Sequence, residues 1–151
     1  MRPRVFAFLL LLLAWTAMRP AAAAAQPTWI RVSGDPAVMS VAAAPPGAPP
    51  AVVVDASTTY DVKARQNVQR IRAWLDAPLP AGVKLTIELQ APAGAVSAGE
   101  VELTTSPQDV VVQLPKNVTA YGLAITYRLT ATAGSGTMLL TTRVVTLEVT
   151  T

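Results

Sequence analysis

Residues 68–89 alternate with period two on both sides of a proline–glycine break, and this pattern narrows the fold more than any other part of the chain. Ile71, Ala73 and Leu75 alternate with Arg70, Arg72 and Trp74. After Pro78-Leu79-Pro80-Ala81-Gly82, Val83, Leu85, Ile87 and Leu89 alternate with Lys84, Thr86 and Glu88. Successive side chains of a strand point to opposite faces, so each run reads as a strand with one buried face. Read locally, the two runs form a hairpin centred on Leu79. Arg70 then opposes Glu88, Arg72 opposes Thr86 and Trp74 opposes Lys84, all on the outer face.

Residues 123–149 repeat the pattern. Leu123, Ile125, Tyr127, Leu129 and Ala131 alternate with small or polar residues, Gly134-Ser135-Gly136 supplies a turn, and Val145, Leu147 and Val149 return. A hairpin through that turn pairs Ile125 with Val145 and Leu123 with Leu147. It also sets Arg143 opposite Tyr127, which predicts a bulge or register shift that turns Arg143 to the rim. Shorter strands are expected at 28–32, 37–41, 51–54, 59–64, 100–104 and 109–114. Roughly eight or nine short strands between regular turns define an all-β chain. The expected architecture is an antiparallel two-sheet immunoglobulin-like sandwich, with a small β-barrel as the alternative. Its core is expected to hold Ile71, Leu75, Leu85, Ile87, Leu123, Ile125, Leu129, Val145 and Leu147.

The chain divides into three parts. Residues 1–25 read as a signal peptide: Arg2 and Arg4, an apolar run over 5–15 with leucine at every position of 9–13, then alanine at every position of 21–25. The apolar run is shorter than the ~20 residues a membrane-spanning helix needs. Cleavage is expected near Ala25–Gln26, giving an exported protein, periplasmic or extracellular, with no membrane span. Residues 26–50 form an N-terminal arm and a Pro-rich connector, because proline lacks the donor a central strand requires. A nine-residue extended connector reaches roughly 28 Å. The arm can therefore cover an edge of its own sandwich, burying Trp29 and Val32, or add a strand to a neighbour and drive self-assembly. Residues 51–151 form the sandwich domain.

Composition removes several chemistries. The 151 residues contain no His and no Cys. Without them no Ser-His-Asp or Cys-His machine, no thiolate zinc site and no disulfide can be built from this chain. The formal charge of +3 comes from 12 Lys+Arg against 9 Asp+Glu. Arg2, Arg4 and Arg19 lie in the leader, so the remainder is neutral. That argues against nucleic acid as a partner, since phosphate backbones demand a basic surplus. No cofactor and no metal is expected: Asp35, Asp55, Asp61, Asp76 and Asp109 stand apart in sequence and form no calcium loop. Glu100 and Glu102 share one strand face, as a glycosidase pair would, but such a pair also serves to keep a sheet edge soluble.

What remains is a surface. Lys63, Arg65, Arg70 and Arg72 are the one basic cluster, and Trp74 shares the outward pattern, with Lys84 as its expected neighbour. Arg70, Arg72 and Trp74 are the candidate ligand-binding residues. They suit an anionic polysaccharide, lipopolysaccharide phosphate or a membrane surface, or else are ordinary outward charge paired with acids on adjacent strands. Trp29 is expected to fasten the arm. Asn117-Val118-Thr119 fits a glycosylation sequon and, equally, a turn.

The run TTYDVKARQNVQRIRAWLDAPLPAGVKLTIELQAPAGAVSAGEVELTTSPQDVV, followed by YGLAITYRLTATAGSG and RVVTLEV, resembles small exported bacterial β-sandwich proteins. More loosely it resembles fimbrial and spore-coat-U-like subunits. The resemblance covers roughly residues 58–149 and its markers are ordinary turns such as LPAGV and APAGA. It implies export and a sandwich. The disulfide usual in fimbrial subunits is missing here. The reading is therefore a non-enzymatic exported protein with a structural or interaction role at the cell envelope, its partner an envelope polysaccharide or protein. The alternative is a carbohydrate- or surface-binding module.

Overall fold

The computed structural model describes residues 27–35, 38–41, 45–132 and 142–151. The leader 1–25, the first residues of the connector (42–44) and the Gly134-Ser135-Gly136 turn lie outside the described residues. The strands are β1 (Trp29–Ser33), β2 (Ala51–Lys63), β3 (Gln69–Leu75), β4 (Val83–Leu89), β5 (Val96–Ser97), β6 (Val101–Glu102), β7 (Gln108–Leu114), β8 (Thr119–Ala131) and β9 (Val145–Thr150). There is no helix among the described residues. The strands form two antiparallel sheets, a five-stranded one ordered β1-β2-β8-β4-β6 and a four-stranded one ordered β5-β7-β3-β9. They stack over one core in a sandwich-like arrangement.

From β2 to β9 each successive strand lies in the sheet opposite its predecessor. This overturns both expected hairpins. β3 pairs with β7 and β9, whereas β4 pairs with β8 and β6. Arg70 and Glu88 therefore sit on different sheets, and so do Trp74 and Lys84. Likewise Ile125 of β8 meets Thr58 and Leu89, while Val145 of β9 meets Leu75. The physical reason is that an arch crossing the core places the same alternating apolar residues inward as a hairpin does. Period two fixes which face is buried and leaves the partner strand open. The 76–82 connection has two prolines and seven residues, enough chain to cross the ~10 Å between stacked sheets.

Ile71, Leu75, Ile87 and Ile125 of the expected core are fully buried, joined by Tyr60, Val62, Leu89, Val110, Val111 and Leu114. Leu85, Leu123, Val145 and Leu147 pack against that core partly buried, and Leu129 is also only partly buried. Val145 and Leu147 stand on an edge strand, with a neighbour on one side alone among the described residues. The Tyr60 hydroxyl donates to the Gln90 carbonyl oxygen at 2.6 Å. It thereby ties β2 to the end of β4 beneath β8.

The arm enters as β1, antiparallel to the last five residues of β2 of the same chain, Trp29 facing Lys63 and Ser33 facing Thr59. Ile30 packs on the core and Trp29 is half-buried, but Val32, expected inside, is 47% exposed. An edge position covers an inward side chain from one side only. The strand expected at 37–41 is absent over 38–41. Gly34 ends β1 at φ +109°, and a Cβ there would come within 2.8 Å of the Ser57 carbonyl oxygen. Only glycine suits that turn against the bulge of β2. The expected strands 51–54 and 59–64 are one strand with this bulge between Asp55 and Thr58. In the Pro-rich connector, Pro45 accepts from Ala48 at 3.0 Å around Gly47, a tight turn.

Ile125 lies in the central strand of the larger sheet with no exposed surface. Truncating it to Ala is expected to destabilise the protein by roughly 2–5 kcal/mol through lost transfer energy and a cavity. Urea unfolding of the variant beside the parent measures this directly.

Candidate functional site

Along β3, Arg70, Arg72 and Trp74 alternate with buried Gln69, Ile71, Ala73 and Leu75, so all three face outward from the four-stranded sheet. Across β9 they meet Thr150, Glu148 and Thr146 respectively. On the other side stands Asp109 of β7. Its two carboxylate oxygens accept from Arg70 Nη1 at 3.2 Å and Arg72 Nε at 3.0 Å. Asp109 faces outward because β7 is bulged. Val110 and Val111 are both fully buried, and the register slips between Ile71 and Arg72. Unbroken alternation from Val111 would have turned Asp109 into the core. The extra residue re-aims it at the two guanidinium groups.

The structure thus brings Arg70, Arg72 and Trp74 onto one face, half-exposed, and supplies a counter-charge that local reading of the sequence did not find. Lys63 and Arg65 do not join them. Lys63 ends β2 in the other sheet, and Arg65 lies in the loop that follows. The cation expected beside Trp74 is elsewhere too: Lys84 Nζ donates to Glu102 Oε2 at 3.0 Å on the outer face of the larger sheet. The missed signal for Asp109 was the run of three valines, Val110-Val111-Val112, in which alternation is lost.

The carboxylates considered for acid–base work are occupied structurally. Glu100 accepts from Arg128 Nε at 2.7 Å and Glu102 from Lys84, as a solvated edge requires. Asp55 accepts from the backbone N–H and the hydroxyl of Ser57 within the β2 bulge. Asp61 accepts from the Gly122 N–H at 2.8 Å, where β8 bulges at Tyr121 and Gly122. Asp76 accepts from the Val144 N–H at 3.0 Å. Arg143 does lie at the rim, just before β9, donating to the Pro78 carbonyl from both Nε and Nη2. Asn117 occupies the left-handed region at φ +62° in a turn between β7 and β8.

A shallow opening of about 210 Å³ lies at the end of the sandwich where β3 ends and β4 begins, between Leu75, Leu79, Val83 and Leu103, with Lys84 and Glu102 at its margin. It is smaller than the ~300–1,000 Å³ typical of small-molecule sites. Comparison with protein-family models, with curated proteins and with solved structures gives no match.

Two buried tyrosines carry titratable groups into the core. Burial pushes the Tyr60 hydroxyl far above the ordinary phenol value. Tyr127 is raised as well, chiefly by burial and further by the negative charge of Asp55, against a lowering contribution from the Thr58 hydroxyl. Both phenols are therefore neutral in the folded state at a pH where they ionise in the unfolded chain, near 10. Stability from these groups is fully present below about pH 10 and is lost as pH rises from there toward the folded values. Tyr60→Phe is expected to flatten this alkaline decline in part, Tyr127 supplying the remainder. At neutral pH it should cost roughly 1–3 kcal/mol, since the Gln90 carbonyl loses its donor. Urea midpoints measured from pH 7 to 11 for parent and variant test both statements.

Proposed function

We propose that this chain is an exported, non-enzymatic sandwich protein, immunoglobulin-like in kind, with a structural or interaction role at the cell envelope or outside the cell. The observation that carries this reading is the use made of the carboxylates. In a chain without His or Cys they are the candidate acids and bases. Asp55, Asp61 and Asp76 hold backbone N–H groups, and Asp109, Glu100 and Glu102 hold cations. Six of the nine carboxylates thus serve the shape of the fold. The leader pattern at 1–25 supports export. Expressed with its own leader in a Gram-negative host, the protein is expected in the periplasm or medium with its N-terminus near Gln26. Intact-mass measurement of each cell fraction tests this, and an unprocessed cytoplasmic chain would sink it.

A second reading, a carbohydrate-binding module, is favoured by one specific observation: half-exposed Trp74 follows Arg70 and Arg72 along the same outer face. An indole presented beside cations stacks on a sugar ring while the guanidinium groups meet its acidic substituents. On this reading Trp74→Ala weakens retention on an acidic envelope polysaccharide roughly three- to tenfold. Absence of any retention by the parent protein in a glycan array removes it.

A further inference from the structure

The neutral charge of residues 26–151 hides a separation of charge along the sandwich. One end is built by Lys63 at the close of β2 and by the loops 64–68, 90–95 and 115–118. These pack on one another: the Ala64 N–H donates to the Val118 carbonyl at 2.9 Å, and Gly94 lies so close to Pro115 that a Cβ would meet its ring at 2.9 Å. This end carries Lys63, Arg65 and Lys116; its three loops contain no Asp or Glu, and of the acids near the ends of β2 and β4, Glu88 and Asp61, the latter is held by the Gly122 N–H. The connections at the opposite end carry Asp35 and Asp76 against the single cation Arg143 among the described residues, with Asp55 near the start of β2.

The basic end is also apolar at its surface. Val68 is 73% exposed and held at φ +55°, a left-handed conformation that a β-branched residue adopts only under strain. The loop fixes it there. Buried Gln69 turns its side-chain oxygen back to accept from the Arg65 and Gln66 N–H groups, both at 3.1 Å. Tyr121, pushed out by the β8 bulge, is 68% exposed. Half-buried Trp29 sits opposite Lys63 across β1 and β2.

We infer that this end of the sandwich docks on an anionic membrane surface. Lys63 and Lys116 lie over the lipid phosphates, and Val68 and Tyr121 enter the interfacial layer. Cations near a charged bilayer each add to the attraction, and the acidic far end orients the molecule by pointing away. The aliphatic Val68 selects lipid over polysaccharide, since a sugar surface offers such a side chain nothing in return for its exposure. This deepens the interaction reading proposed above by naming a partner. It rests on Lys63, Lys116, Val68 and Tyr121 rather than on Arg70, Arg72 and Trp74, and it is testable on purified protein whatever the outcome of cell fractionation.

The test is co-sedimentation with vesicles of phosphatidylcholine alone and of phosphatidylcholine with phosphatidylglycerol. The protein is used in the form recovered from cells, its N-terminus fixed by mass. A retained leader adds a salt-insensitive background common to every variant. Binding is expected on the anionic vesicles, falling as salt rises from 50 to ~500 mM. The double variant Lys63→Glu/Lys116→Glu should bind about tenfold more weakly or worse, with its melting temperature near that of the parent. Val68→Asn should weaken binding while raising the melting temperature by about 2–4 °C, because asparagine accepts the left-handed conformation. Anionic binding unchanged in either variant would overturn the inference. So would a parent protein that ignores the vesicles but binds a soluble acidic polysaccharide such as polygalacturonate.

Discussion

Each strand after β2 lies across the core from the one before it, and the rest of the molecule follows from that constraint. No strand of this series can complete its hydrogen bonds with its sequence neighbour. β3 finds β7 and β9, β4 finds β8 and β6, and β8 is held between β2 and β4. Every ladder here except β1–β2 therefore passes over at least one intervening strand. Such pairing gains nothing until long loops have closed, which makes for slow folding driven by collapse of the common core rather than by local hairpins. The core residues divide accordingly, with Tyr60, Ile87, Leu89 and Ile125 from the larger sheet meeting Ile71, Leu75, Val110 and Leu114 from the smaller.

Crossing connections demand that strands bend at the ends of the sandwich, and the bends are made by bulges. β2, β7 and β8 each carry register shifts. At three of the four shifts an aspartate settles what the ladder leaves open: Asp55 folds back onto Ser57, Asp61 accepts from Gly122, and Asp109 turns outward to two arginines. A buried or half-buried N–H without a partner costs about as much as a lost hydrogen bond. A short carboxylate beside an irregular stretch is a compact way to meet that need.

The inward sets of β3, β4 and β8 were legible because period two survives any choice of partner. Ile71, Leu75, Ile87 and Ile125 are buried in a hairpin and in an arch alike. Pairing was illegible for the same reason. LPAGV between two alternating runs fits either connection, and only the side chains across the gap decide between them. The candidate face was half legible. The outward row of Arg70, Arg72 and Trp74 follows from β3 alone, and its counter-ion from a bulge whose sequence mark is three valines in succession. The wider basic cluster dissolved because Lys63 and Arg70, close in sequence, belong to different sheets.

That division of the cluster also explains how residues 26–151, neutral in sum, come to have a basic end. Carboxylates are drawn to places where the sheets are irregular or where an edge needs charge: the bulges of β2 and β8, the outward turn of β7, the rim beside Val144 and the edge strand β6. The loops 64–68, 90–95 and 115–118 meet their own backbone needs otherwise. Gln69 caps one with an uncharged amide, Ala64 bonds directly to Val118, and Gly94 packs against Pro115. With Asp61 held by Gly122 in the adjoining strands, Lys63 and Lys116 share this end with no carboxylate in its loops. Total charge, the quantity a composition reports, is then a poor guide to what the surface attracts. The field of such a molecule is that of a dipole along the strands, and its direction is set by which turns the backbone satisfied with aspartate and which with glutamine, proline and glycine.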